Sequence, residues 1–121
     1  MENLKINIAF EKGEDLLRVA QEELFRPEED VVPYMVYQKA KLATCEFLIG
    51  YLTHNGLDAI SVDLEVLLNQ CREINENFFD LNVEPLTKVG KSEDVWVSLP
   101  AAKEFVAIAE SSKSMVIREL V

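Results

Sequence analysis

The chain has 121 residues, of which 49% are hydrophobic and 28% charged, so it is long enough to bury a core and does not have the composition of a disordered acidic tail. Its formal net charge is −10, from 22 acidic and 12 basic side chains, and no lysine and arginine cluster offers a face for nucleic acid or an anionic membrane. The acidic balance favours a basic protein partner, if the protein has one.

The sequence also bears on the cellular compartment. No apolar run approaches the roughly 20 residues that cross a bilayer, and residues 1–5 lack the charged start and apolar middle of a signal peptide. We therefore expect a cytoplasmic protein without a membrane partner. In that reducing compartment Cys45 and Cys71 are expected to be free thiols, with a disulfide between them as the less favoured alternative.

The first predicted helix covers about residues 4–25, where apolar side chains recur at helical spacing. Gly13 falls on the apolar face and could let another helix approach closely. Glu22 and Glu23 are interpreted as part of a solvated face. The Arg26-Pro27 pair ends the helical pattern.

The second predicted helix begins near Asp30 and ends at Asn55-Gly56. Residues 28–30, all acidic, would place negative charge at its N-terminus, where the helix dipole favours it. Pro33 falls in the first turn, where its missing N–H does no harm. Gly56 is a plausible C-terminal stop.

This second helix carries two apolar stripes. The first stripe comprises Val36, Ala40, Ala43, Phe47 and Tyr51, and the second comprises Leu42, Cys45, Ile49 and Leu52. A helix that is apolar on two sides must be buried on two sides. The second stripe is therefore either covered by another helix of the same chain or is the face of a homodimer, and the sequence leaves both readings open.

The rest of the chain predicts two more main helices. One starts at Ser61 as its N-cap, with apolar residues at helical spacing from Leu64 to Ile74, and residues 75–79 either extend it or begin a new short turn. Residues 82–97 read as a loop with a short helix around Pro85-Leu86, and the last helix starts after Ser98. No segment alternates with period two over a useful length. The prediction is an all-α, up-and-down bundle of about four main helices in a single domain, residues 1–121.

The stretch from Tyr37 to Leu68 resembles the HEPN domain, the nucleotide-binding domain of higher eukaryotes and prokaryotes. The resemblance lies in the aromatic-Gln start and the Ala/Lys-rich repeat of residues 37–43, the Gly-containing turn of residues 54–57, and the Asp-Leu-Glu opening of residues 61–68. It implies an up-and-down bundle that pairs into homodimers. Members of the family include ribonucleases of toxin–antitoxin systems, non-catalytic companions of small nucleotidyltransferases, and binders of nucleotides or other polyanions.

Catalytic members carry an Arg followed a few residues later by a His, near the start of the last helix. Such a pair can accept the 2′-hydroxyl proton and stabilise the phosphate charge. Here the corresponding loop, residues 88–96, contains neither residue, and Val62 stands where relatives often have a His. The only histidine, His54, ends the second helix and is more simply read as suited to the helix dipole.

Three weaker signals favour structural readings. Gly90-Lys91-Ser92 looks like the end of a phosphate-binding loop, but Pro85 stands where that motif needs a glycine. The acidic residues 28–30 could bind a cation and are better explained as helix-start charge. The aromatic residues Phe78, Phe79 and Trp96 could line a pocket and more simply anchor the core.

The sequence therefore predicts a non-catalytic HEPN-like binding and dimerisation module, without catalytic residues, cofactor or metal. Its candidate dimer face is the second stripe, and its expected partners are a second copy, a basic nucleotidyltransferase-like protein or a nucleotide. One alternative is a ribonuclease in which Lys88 and Lys91 replace the missing pair. The other is a purely structural interaction protein.

Overall fold

A computed structural model of the chain describes residues 7–89 and 97–120, and within these ranges every regular element is helical. The five α-helices and two 3₁₀ turns, in chain order, are α1 (Ile8–Leu24), a turn at Glu28–Asp30, α2 (Pro33–His54), α3 (Leu64–Ile74), a turn at Glu76–Asp80, α4 (Glu84–Lys88) and α5 (Leu99–Leu120). The predicted all-α class is confirmed. The four longer helices are the predicted ones, and α4 is the short helix expected around Pro85-Leu86.

The central helix, α2, is covered on three sides. Towards α1 it presents Phe47, whose ring centroid lies 5.1 Å from that of Phe10. Towards α5 it presents Tyr37, whose ring packs edge-to-face with that of Phe105, with the two centroids 5.4 Å apart. Towards α3, the thiol of Cys71 approaches the Leu48 carbonyl oxygen at 3.8 Å. The predicted burial of the first stripe is confirmed, since all five of its residues are buried.

Two glycines allow α1 and α2 to approach closely. A β-carbon added at Gly13 would lie 2.7 Å from two ring carbons of Phe47 and 3.2 Å from the Ala43 carbonyl oxygen. A β-carbon at Gly50 would lie 3.1 Å from Oδ1 of Asn7. The close helix approach predicted at Gly13 is confirmed. The similar role of Gly50 was not predicted, because Gly50 contacts Asn7, the N-cap of α1, and the sequence did not fix where α1 begins.

The C-terminus of α2 follows the predicted glycine stop. Gly56 has a φ of +76°, which side chains with a β-carbon rarely adopt. The Leu57 N–H donates to the Leu52 carbonyl at 2.9 Å and the Gly56 N–H donates to the Thr53 carbonyl at 3.0 Å. These two bonds form a Schellman motif, which satisfies carbonyls that the helix itself leaves open.

The N-terminus of α2 lies three residues later than predicted. Glu28–Asp30 form a separate 3₁₀ turn, and Val32 is extended, with φ −103° and ψ 95°. The reason is Pro33, because the ring of a proline disfavours helical backbone at the residue before it. The acidic residues therefore precede α2 rather than belong to its first turn.

Glu23 overturns the interpretation of Glu22-Glu23 as a solvated face, since its side chain is only 8% exposed. Its Oε2 accepts hydrogen bonds from the Val32 N–H at 2.9 Å and from the Arg26 guanidinium at 3.1 Å. It thereby ties the end of α1 to the start of α2, which has no cap from its own N-cap side chain. Helical periodicity could not reveal this role, because the partners lie beyond the helix.

We expect Glu23→Ala to lower the free energy of unfolding by about 1–2 kcal/mol, since it removes the acceptor that caps α2. Glu23→Gln keeps an acceptor oxygen for the Val32 N–H and should cost less than half as much. Urea unfolding of the two variants beside the wild type measures the difference. Equal losses for both variants would mean that the carboxylate acts through charge alone.

The N-cap of α3 is Asp63 rather than the predicted Ser61. The Asp63 carboxylate accepts from the Glu65 N–H at 3.0 Å and from the Val66 N–H at 3.3 Å. The Ser61 hydroxyl instead accepts from the Asp63 N–H at 2.9 Å. Both residue types are good caps, and the sequence alone did not distinguish two of them separated by one residue.

Candidate interaction surface

The second apolar stripe of α2 divides between the core and the surface. Leu52 is fully buried and Cys45 is 7% exposed, so the chain itself covers these two. Ile49 is half-buried at the edge of the core, and Leu42 is 50% exposed. Half of the predicted dimer face therefore packs within the chain, and its exposed half is centred on Leu42.

The uncovered side of α2 forms a distinct surface that includes a residue outside the predicted stripe. Met35, which is 39% exposed, lies seven residues before Leu42, and Ile49 lies seven residues after it. A spacing of seven residues is close to two helical turns, so all three side chains lie along one face. The open face, as we call this surface, consists of Met35, Gln38, Lys39, Leu42, Glu46 and Ile49.

The open face carries one positive and one negative side chain. Lys39 and Glu46 lie three residues before and four residues after Leu42. Among residues 7–89 and 97–120, neither side chain takes part in a hydrogen bond or salt bridge. Both charges are thus available to a molecule that covers Leu42.

A groove borders the open face near its N-terminal half. It has a volume of about 420 Å³ and is lined by Tyr34, Leu42 and Val62, among others. Val62 is 83% exposed, and its carbonyl oxygen lies 3.8 Å from the Cys45 sulfur, which places the loop before α3 alongside α2. On the rim, the Lys41 ammonium donates to the Tyr37 hydroxyl at 3.3 Å. The groove therefore extends the apolar surface beyond α2 itself.

The residues considered for ribonuclease chemistry are far apart or outside the described ranges. His54 is exposed at the end of α2, thirteen residues and about 20 Å along the helix from Lys41. Lys41 shares a small cavity with Thr87, the neighbour of Lys88. The Lys88 ammonium lies 3.2 Å from the Glu84 carboxylate. Lys91, Trp96 and the whole Gly90-Lys91-Ser92 motif lie outside the described residues.

The aromatic residues considered as a pocket lining, and the possibility of a metal site, can be compared with the structure. Phe78 is fully buried, with its ring centroid 4.6 Å from that of Tyr51. Phe79 is 66% exposed beneath the Arg72 guanidinium, which lies 4.9 Å from the ring centroid. Within the described part of the chain, no three or more His, Cys, Asp or Glu side chains are grouped as metal ligands would be.

Both cysteines are free thiols in the structure. Burial raises the pKa of the Cys45 thiol to about 11, an effect that the nearby Lys41 ammonium partly opposes. Burial also raises the pKa of the Cys71 thiol to about 12. A thiol nucleophile reacts as the thiolate, so neither group is prepared for nucleophilic chemistry at neutral pH.

None of the helices within residues 7–89 and 97–120 combines the length and hydrophobicity needed to cross a bilayer. Comparisons with protein-family models, with curated proteins and with solved structures found no match to this chain.

Proposed function

We propose that this chain is a non-catalytic binding module of the HEPN type that acts as a homodimer through the open face of α2. The observation that carries the proposal is that the most buried helix of the chain leaves one side with two exposed apolar residues, Met35 and Leu42, and the half-buried Ile49. An apolar face on a central helix favours an interaction site, because exposed apolar clusters in soluble proteins commonly mark binding surfaces.

The sequence resemblance supplies the wider context of the proposal. Its motifs lie on α2, which carries the open face, on the turn after it, and on the segment that leads into α3, whose Val62 lines the groove beside the open face. As a HEPN-like module, the chain acts in the cytoplasm as the companion of a basic nucleotidyltransferase-like protein, or it binds a nucleotide. The net charge of −10 favours the basic protein, since it attracts positively charged surfaces over long range and repels RNA.

The main alternative is a ribonuclease with unorthodox residues. RNA cleavage beside a 2′-hydroxyl needs a base for the proton and a positive group for the phosphate within reach of one substrate. His54 could act as the base, but it lies at the opposite end of α2 from the part near Lys88, and Lys88 already pairs with Glu84. This separation favours the binding module over the enzyme.

We expect the purified protein not to cleave RNA. The test is incubation with mixed single-stranded RNA at low salt, where any weak binding is strongest, with samples of the His54→Ala, Lys88→Ala and Lys91→Ala variants beside the wild type. The expected result is the same intact RNA in every sample. Cleavage that survives purification and disappears in one of these variants would reject the binding module in favour of the enzyme.

A further inference from the structure

The open faces of two copies of the chain are complementary when their α2 helices run antiparallel to each other. In an antiparallel pair of helices related by a two-fold axis at Leu42, each residue lies opposite the one equally far from Leu42 on the partner helix. Met35 of one copy then lies opposite Ile49 of the other, and the two Leu42 side chains meet at the axis. The three apolar positions form a continuous seam because they are symmetric about Leu42.

The charges of the open face obey the same symmetry. Lys39 lies three residues before the axis and Glu46 four residues after it, so Lys39 of one copy and Glu46 of the other differ by about 1.5 Å in height along the pair. Both side chains lie on the same flank of the seam, which is the side that faces α1. The two-fold axis creates this opposite-charge pair twice, whereas a parallel two-fold pair would put the charged residues of the two copies on opposite flanks of the seam and form neither pair.

We infer that the occupant of the open face is a second copy of this chain, bound with α2 antiparallel to its partner, Leu42 on the two-fold axis and Lys39 paired with Glu46 of the other copy. This inference rests on the proposed function and specifies the geometry of its dimer. A second copy fits the open face because, about a two-fold axis at Leu42, each apolar position faces an apolar position and Lys39 faces Glu46.

The surrounding structure leaves room for this arrangement. α1, α3 and α5 contact other sides of α2, and the groove beside Leu42 could accept the side chains that border the seam of the other copy. The long-range repulsion between two chains of net charge −10 is screened within about 8 Å at physiological salt. The Lys39–Glu46 pairs then act locally where the surfaces touch.

A charge-exchange experiment tests the register of the pair. We expect Lys39→Glu and Glu46→Lys each to raise the dimer dissociation constant roughly tenfold, because each creates two like-charge contacts. The double variant K39E/E46K rebuilds both pairs with exchanged sign and should return to within about threefold of the wild type. Sedimentation of all four proteins gives the constants. If the free-energy losses of the two single variants simply add in the double variant, so that it dimerises more weakly than either, the inferred register is wrong.

Cross-linking tests which residue lies on the axis. Helix axes in contact lie about 8–10 Å apart, which brings the two α-carbons at position 42 within the reach of a disulfide. Under mild oxidation Leu42→Cys should therefore give a covalent dimer, while Ser111→Cys, on the exposed side of α5, should not. The native thiols are buried and remain unreactive in both samples.

The substitution Leu42→Asp separates failure of this geometry from failure of the proposed function. It should raise the dimer dissociation constant about a hundredfold, because two carboxylates would be buried at the axis. Ser111→Asp is the matched control, and at protein concentrations where the wild type is monomeric both variants should keep its melting temperature, because both sites are exposed in the single chain. A Leu42→Asp protein that still dimerises fully, without cross-linking at Leu42→Cys, would overturn the antiparallel α2 pair while leaving a dimer through another face. A wild type that is monomeric would overturn both proposals.

Discussion

Replacing Phe47 with alanine is expected to lower the free energy of unfolding by about 3–5 kcal/mol, the usual cost of deleting a buried aromatic side chain. Phe47 is fully buried, with the tilted ring of Phe10 packed against it and Gly13 of α1 in contact with its ring. The cavity would open at the contact between α1 and α2. Urea unfolding followed by far-UV circular dichroism gives the value.

The same site offers a sharper test through Gly13→Ala. In the wild type the new β-carbon would collide with the Phe47 ring, so the variant should lose about 1–3 kcal/mol. In the Phe47→Ala background the ring is absent, and Gly13→Ala should cost less than about 1 kcal/mol or even stabilise α1, because alanine is the better helix former. A loss from Gly13→Ala that is equal in both backgrounds would contradict the close approach of the two helices.

The second large effect concerns alkaline pH. Burial raises the pKa values of Cys45 and Cys71 from 9.0 to about 11 and about 12, so the folded protein keeps both protons where the unfolded chain releases them. The stability that each neutral thiol contributes is complete below pH 9 and is lost as the pH rises towards its folded pKa. Each thiol should contribute about 1.4 kcal/mol per pH unit in that window.

The measurement is urea unfolding of the wild type and of a Cys45→Ala/Cys71→Ala double variant at pH 8 and pH 10. We expect the wild type to lose about 2–3 kcal/mol more than the double variant between these pH values. The two proteins share every other ionisable group, so the contribution of those groups cancels in the difference. An identical pH dependence of the two proteins would show that the thiols are not protected by burial.

Local signals in the sequence predicted the fold well. Apolar periodicity identified the four long helices, and Gly56 marked the end of α2 because a helix that closes with a Schellman motif needs a residue with positive φ. Errors arose where two signals of similar strength competed. The acidic residues 28–30 suggested an early start of α2, but Pro33 set the actual start through its effect on Val32.

The candidate surface was predicted only in part, because burial within the chain depends on tertiary structure. Periodicity placed Cys45 and Leu52 on one stripe with Leu42, yet the loop before α3 lies along Cys45, and Leu52 is buried. Met35 was missed because its relation to Leu42 becomes visible only when the uncovered side of α2 is known. Val62 was missed as a surface residue because it belongs to a loop and not to a periodic segment.

The oligomeric state of the wild-type protein decides whether the open face of α2 binds a second copy of the chain. Sedimentation equilibrium over a wide range of protein concentration, at physiological salt and in the presence of reductant, measures it without any substitution. We expect a reversible dimer whose mass is twice the 13.8 kDa of the chain. A single species of 13.8 kDa up to the highest concentration would contradict it, since the open face of α2 would then have no second copy to cover it.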